Sequence, residues 1–390
     1  MSINTNTTAT TRSSIIKERE ALKLSASKGE LFKAIQIVQP AISTRSTLPI
    51  LGNILFEAGN GELRLSATDL EVGIRTKSKA DVIQSGTITV PAKIVSDFLK
   101  TIDDDKEVKI EVLDGNKVEF RSGRDRLSVV GLPKEDYPVL PEFEDKKSIL
   151  INKEILREII KKTVFAVSAD ETRYVLNGIH LIIEGGKMTG VATDGRRLAY
   201  IQKAVGDDSL KVKVIVPTKA VQELLRLSSE VKGGGETLKA SFTDNQASFS
   251  DGETVVLSRL IEGHFPNFEQ VIPKTHEIQV KIDRSEFLAS ITRAAVGTLE
   301  RGGAVKVSLA KGVLKAQASA QGRVEAESEM AINYEGANFE IAFNPVYVMD
   351  SLRALDQKEI LLEFTSALNP GVIRPAIDDG YRYVMMPMKV

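Results

Sequence analysis

The chain repeats itself in three units, and that repetition limits its fold more than any other feature. The segment running from Val90-Pro91-Ala92-Lys93 to Leu99-Lys100 returns as Val216-Pro217-Thr218-Lys219 to Leu225-Arg226. It returns again, degraded, as Phe343-Asn344-Pro345-Val346 to Leu352-Arg353. The offsets are 126 residues (from 90 to 216) and 127 (from 216 to 343). Ala67-Thr68-Asp69 recurs as Ala192-Thr193-Asp194 at a similar spacing. A chance match would not keep its spacing over several landmarks. A period of about 125 residues is too long for a solenoid and is an ordinary domain size, so the chain carries a triplicated domain.

Each unit carries the same local signals. Amphipathic helical patterns cover 27–42, 152–168 and 283–299, and each is read as opening its copy. Alternating strand pairs follow, such as 53–57 with 62–66 across Gly59-Asn60-Gly61, and 178–183 with 188–192 across Gly185-Gly186. The Val-Pro segments then start a second helix, over 92–101, 218–229 and 344–355, with Pro in its first turn. The expected class is α+β: three repeated domains, each with two helices and antiparallel sheets.

Composition excludes several functions. The 390 residues hold 52 Lys+Arg against 53 Asp+Glu, so this is no tail-driven basic nucleic-acid binder. With no Cys, disulfides, thiol catalysis and Cys-based zinc sites are excluded. No stretch reaches the roughly 20 apolar residues of a membrane span. Residues 1–21 are polar, Thr/Ser-rich and without an apolar core; they are expected to be a disordered extension rather than a secretory signal, and the protein to be cytoplasmic. No catalytic constellation assembles. His180, His264 and His276 fit no metal motif, and no phosphate loop or nucleophile elbow occurs. Lys232-Gly233-Gly234-Gly235-Glu236 and Asp103-Asp104-Asp105 read as a loop and a solvated turn, and Asp194-Gly195 as a structural turn. No cofactor or metal is expected.

Charge placement is informative where composition is not. The six helical windows together carry an excess of about five positive charges on a chain of net −1. In the window 152–168, Lys153, Arg157 and Lys161 fall at i, i+4 and i+8 as one stripe, opposite Ile155, Leu156, Ile159, Ala166 and Val167, with Ile160 at the edge. Ordinary solvated helix faces would look the same. Three domains presenting such helices to one centre would instead meet phosphate backbones without reading bases.

Specific motifs narrow this further. Thr47-Leu48-Pro49-Ile50-Leu51-Gly52-Asn53, Arg121-Ser122-Gly123-Arg124, Arg173-Tyr174-Val175-Leu176-Asn177-Gly178, Val191-Ala192-Thr193-Asp194-Gly195-Arg196-Arg197-Leu198-Ala199, Phe265-Pro266-Asn267-Phe268 and the terminal Tyr383-Val384-Met385-Met386-Pro387-Met388-Lys389-Val390 resemble the bacterial β sliding clamp, the processivity subunit of DNA polymerase III. The resemblance spans about residues 22–390. Val175 departs from it, standing where many members have a second tyrosine, as does Arg196, where histidine is common. It implies clamp domains at 22–145, 146–273 and 274–390, and a head-to-tail homodimer closing a ring around duplex DNA without sequence preference. The implied partners are the replicative polymerase, the clamp loader, and other polymerases and repair proteins carrying short peptide motifs. An enzyme on a triplicated scaffold is the alternative class, disfavoured by the missing constellation.

The resemblance also implies sites. Arg45, Arg173 and Tyr174 match DNA-contacting positions. The repeat adds Lys93 and Lys219, first-turn residues of equivalent helices, and the helical stripe adds Lys153, Arg157 and Lys161. A partner-peptide pocket between the second and third domains is implied at Leu176, Thr193, Gly195, Arg197, Leu198, Pro266, Val271, Asn344, Tyr347, Val384, Met386, Pro387 and Met388; Met385, of opposite parity, is expected in the core. The dimer seam is implied at Arg124, Arg126, Leu127, Val129 and Val296. On a strand, Arg124 and Arg126 would share one face and Leu127 and Val129 the other, while Glu325, Glu327 and Glu329 would share a face able to meet the arginines.

Overall fold

The computed structural model describes residues 22–43, 46–145, 148–206, 211–229, 235–298, 303–320 and 324–389. The extension 1–21, Arg45 and the glycine run up to Gly234 therefore lie outside the described residues. Two compact units divide the chain: residues up to Asp69 with Ile74–Val139, and Leu70–Gly73 with everything from Leu140 onward. The first unit holds the first repeat and the second holds the other two.

Among the described residues six helices form, two per repeat: α1 (Lys28–Val38), α2 (Ala92–Lys100), α3 (Lys153–Thr163), α4 (Thr218–Ser229), α5 (Arg284–Ala295) and α6 (Pro345–Ala354). Each falls inside its sequence window. The helices do not open their copies, however. A strand precedes the first helix of every repeat: Lys23–Ser27, Ile149–Asn152 and Ile278–Asp283. These strands are four to six residues long, too short for a period-2 pattern to stand out beside a helix. Pro345 sits in the first turn of α6 as expected. Pro91 and Pro217 instead end the strands before α2 and α4.

One backbone bond recurs in each repeat. The N–H that starts α1, α3 and α5 donates across the domain: Lys28 to Lys106 O, Lys153 to Glu236 O and Arg284 to Lys358 O, each at 2.8 Å. The triplication seen in sequence is thus a triplication of hydrogen-bond geometry. The hairpins agree as well. Asn53–Gly59 pairs with Glu62–Thr68 across Asn60 and Gly61, both at positive φ. Gly178–Glu184 pairs with Lys187–Thr193 across Gly185 and Gly186, also both positive. Two consecutive positive φ values suit the right-handed twist of the flanking strands.

In the second unit an eight-stranded antiparallel sheet runs in the order Val212–Pro217, Gly178–Glu184, Lys187–Thr193, Arg197–Ala204, Tyr381–Met385, Gly371–Pro375, Glu359–Phe364 and Ile278–Asp283. The first four strands belong to the second repeat and the last four to the third. The join is the Arg197–Ala204 strand against Tyr381–Met385, registered Leu198 to Val384 and Tyr200 to Arg382.

Helix α3 lies on the sheet face opposite the one that carries the candidate site. Leu156, Ile159 and Ile160 are buried beneath it, so Ile160 belongs to the core and not its edge. Burying each side chain contributes roughly 1.5–3 kcal/mol. The contact is close because Gly190 has no side chain: a Cβ there would stand 2.3 Å from Ile159 Cγ2. Gly190→Val is therefore expected to destabilise the second unit by about 1–3 kcal/mol through overpacking, read as a lower denaturant midpoint at unchanged slope.

Candidate partner pocket and charged surfaces

The pocket lies on one face of the eight-stranded sheet, at the join between its halves. Leu198 and Val384 face each other across the paired strands and pack with Val191 and Val372. The connecting segment after Gly263 crosses this face, laying Phe265, Phe268 and Ile272 on the same cluster. Phe265 stacks on His180 with centroids 4.9 Å apart, and Phe268 tilts against Tyr200 at 5.9 Å. Burial pushes the His180 imidazole below its ordinary range, so it packs there uncharged, its Nδ1 3.2 Å from Val214 O.

A cavity of about 140 Å³ remains between this segment and the sheet. Leu176, Thr193, Gly195, Arg197 and Leu198 line it from the second repeat, and Val384 and Met386 from the end of the chain. Pro266 and Val271 close it from the connecting segment. Three further residues line it: Arg196, which the resemblance marks as a departure from histidine at the rim, and Asn267 and Phe268, which sequence reasoning did not assign to the pocket. All three lie within two residues of ones named for the site, and their turn and loop contexts hid which of them point inward.

The remaining expected pocket residues have other duties. Asn344 caps α6, accepting from Val346 N at 2.9 Å. Tyr347 lies under the Arg197 guanidinium, 4.4 Å from its centroid, and its carbonyl accepts from Tyr383 Oη at 3.0 Å. Pro387 and Met388 are half-buried beyond the cavity, where Met388 N donates to Ala342 O. Met385 is buried in the core, as its parity requires.

Local hydrogen bonds shape the pocket's turn. Asp194 Oδ1 accepts from Arg196 N at 2.9 Å and Arg197 N at 3.1 Å, while Thr193 Oγ1 donates to Arg197 O at 2.6 Å. Gly195 holds φ +87, a conformation glycine adopts without steric cost, and a Cβ there would meet Arg173 Nη1 at 3.0 Å. Arg197 then joins the two repeats. It donates to Asp194 Oδ2 at 3.0 Å and to Asp350 Oδ2, on α6, at 2.8 Å. Burial alone would lower its pKa; Tyr383, Asp350 and Asp194 more than offset that and hold the guanidinium charged. Arg197 thus lines the cavity and also clasps the two repeats together.

A second junction network went unread in the sequence. The buried Lys162 on α3 donates to Glu158 Oε1 at 2.8 Å and to Asp379 Oδ2 at 2.6 Å, linking the second repeat to the third.

The expected DNA-facing residues scatter over several settings. Lys93 is exposed on α2 and pairs with Asp97 at 3.2 Å. Lys219 is half-buried on α4, and its third counterpart, Val346, is exposed on α6. Lys161 is exposed, and Arg157 half-buried, 3.9 Å from Glu154. Lys153 corrects the stripe. It is buried, with no hydrogen-bond partner for its Nζ among the described residues. As the first residue of α3 its Cβ tilts back toward the helix start, into the domain. Lys28 does the same on α1, reaching Asp104 at 2.5 Å. Arg173 and Tyr174 are exposed in the irregular turn Glu171–Leu176, with Arg173 beside the pocket glycine.

The expected seam residues occupy two sheet edges. Asp125–Val130 is the last strand of its sheet, and Val324–Ala331 is the last of another. Arg124 sits in the turn before the first of these, not on it, and is exposed. Arg126 is on the strand but donates to the buried Glu119 of its own sheet at 2.5 Å. Arg121 first, and then Arg126, hold that carboxylate below its ordinary range. Val129 faces the domain core, and Leu127 is half-buried. Glu325, Glu327 and Glu329 share an exposed face, Glu327 reaching Lys315 at 2.6 Å. Val296 stands exposed at the end of α5.

A triplicated α+β chain with a small, mainly apolar pocket where two repeats join has the architecture of a clamp-type tethering protein. Among the described residues no cluster of His, Asp or Glu could hold a metal, and no helix is long and apolar enough to cross a membrane. Family models for the N-terminal, central and C-terminal domains of the DNA polymerase III β subunit match residues 22–141, 150–267 and 269–389. The β sliding clamp of Chlamydia trachomatis is 34% identical over 378 residues, covering 95% of this chain and 88% of that protein. That of Escherichia coli K12 is 31% identical, covering 95% and 100%. The solved C. crescentus β sliding clamp superposes with a TM-score of 0.90 at 31% identity, covering 95% and 100%. The chain belongs to the bacterial DNA polymerase III β-subunit family, the β sliding clamps, and is not an enzyme.

The clasp supplies a direct test. Arg197→Met leaves Asp194 and Asp350 facing each other without their shared cation. Loss of one partner from a buried pair costs about 3 kcal/mol, so the second unit should melt well below wild type. Asp350→Asn, which keeps a hydrogen-bond acceptor, should melt between the two.

Proposed function

We propose that this chain is a cytoplasmic DNA sliding clamp that closes around duplex DNA as a head-to-tail dimer and holds the replicative polymerase there. The observation that carries the reading is the pocket at the sheet join, built from residues of both repeats and the chain end. Its aliphatic, aromatic and Met lining suits a short apolar peptide from a polymerase, the clamp loader or a repair protein. In this reading the clamp domains are 22–145, 146–273 and 274–390. Lys93, Lys219, Arg157, Lys161, Arg173, Tyr174 and Arg45 contribute weak, salt-screened contacts to the phosphate backbone. Lys153 is withdrawn from that set because its ammonium is buried.

The dimer reading rests on two unpaired sheet edges of opposite charge. Arg124 has no carboxylate partner among the described residues, and Glu325 and Glu329 lie on the strand that would face it. Unpaired edges are liabilities unless another strand covers them. A chain with a basic edge in one unit and an acidic edge in the other can join head to tail, and two copies can close on themselves. Val296 and Leu127 supply the apolar contact. Arg124→Glu combined with Arg126→Glu should convert the dimer to monomer in light scattering. A double variant that keeps the dimer mass contradicts this seam.

A further inference from the structure

We infer that Arg196 makes the pocket selective for docking peptides that carry an acidic side chain one or two residues from their apolar anchor. This rests on the pocket reading above and names the ligand chemistry of that same site. Twelve residues line the cavity, and two of them are charged. Arg197 is neutralised by Asp194 and Asp350. Arg196 is not: it is exposed, and among the described residues no carboxylate lies within ion-pair distance of it. No acidic residue lines the cavity. The site is therefore an apolar pocket bearing one uncompensated positive charge.

The charge is also held in place. Arg196 N donates to Asp194 Oδ1 at 2.9 Å, and Arg196 O accepts from Met386 N at 2.9 Å. These bonds fix its backbone between the turn and the terminal segment while its guanidinium stays free. Both Asp194 oxygens are engaged by the turn and by Arg197, so the neighbouring carboxylate is not available to it. A guanidinium next to an apolar surface pairs with a carboxylate through two parallel hydrogen bonds, a geometry an uncharged amide cannot match. In an extended peptide each residue advances about 3.3 Å, so only the first or second residue beside the anchor falls within reach. A lysine at that position meets like charge, which turns affinity into selectivity.

The test is a titration of the full chain with three acetylated, C-terminally amidated peptides. All carry the polymerase's apolar docking segment and differ only in having Glu, Gln or Lys beside the anchor. Amidation leaves the Glu side chain as the one variable carboxylate. At low salt the order should be Glu, Gln, Lys, with Glu roughly three- to tenfold tighter than Gln, and the spread should shrink as salt rises. Arg196→Gln should collapse the three affinities toward one value, and Arg196→Glu should reverse their order. Because each variant is judged by the ratio among peptides it binds, a folding defect cannot imitate the result. Equal affinities in the wild type, or a preference that survives Arg196→Gln, overturn the inference and leave the pocket standing. No binding by any of the three peptides overturns the pocket itself.

Discussion

The structure of the second unit depends on one strand pairing. Five residues of Arg197–Ala204 are laddered to Tyr381–Met385, and this fuses the half-sheets of two repeats into one. Everything at the candidate site follows from that join. It sets Leu198 against Val384 as a common floor and carries the chain end past the Arg196 carbonyl. It also brings Arg197 within reach of Asp350 on a helix of the next repeat. The buried Lys162–Asp379 pair makes a second tie across the junction. Such pairs gain little net energy against apolar replacements, but they specify geometry when every group is satisfied. A pocket assembled from two repeats needs that specification more than it needs extra stability.

The sequence displayed the fold at the level where the signal is periodic. The spaced Val-Pro segments and the amphipathic windows marked the six helices of the described residues because each presents an apolar stripe several turns long. The short strands before α1, α3 and α5 were not legible, since four to six residues give too few alternations to separate them from the helix that follows. Helix polarity was legible and its exceptions were not. Lys153 looked like one more charge on a solvated stripe, yet its place at the first helical position turns it inward.

The candidate site was legible through motif likeness, and its internal roles were not. In sequence Arg197 is simply one of the residues implied for the pocket. Only the fold shows that Asp350, 153 residues away, takes its charge and leaves Arg196 as the exposed one. Asn344 and Tyr347, implied for the pocket, cap a helix and support Arg197. At the edges, Arg126 proved to be engaged by the buried Glu119, a pairing across neighbouring strands that linear order hides. Long-range charge pairing is the information a single sequence withholds most completely.

A clamp works by topology and not by grip. Once closed around a duplex it needs only weak, screened contacts with the phosphates, and a net charge near zero is compatible with that role. The neutral composition and the modest helical excess of positive charge fit a protein that slides. The most direct measurement of this account is retention on DNA after loading at moderate salt. The chain should stay on closed circular duplex and be lost within the same time from an identical duplex cut once, because a ring runs off an end. Equal retention on the circular and the linear form would mean that the protein grips DNA from one side, and the encircling account would be wrong.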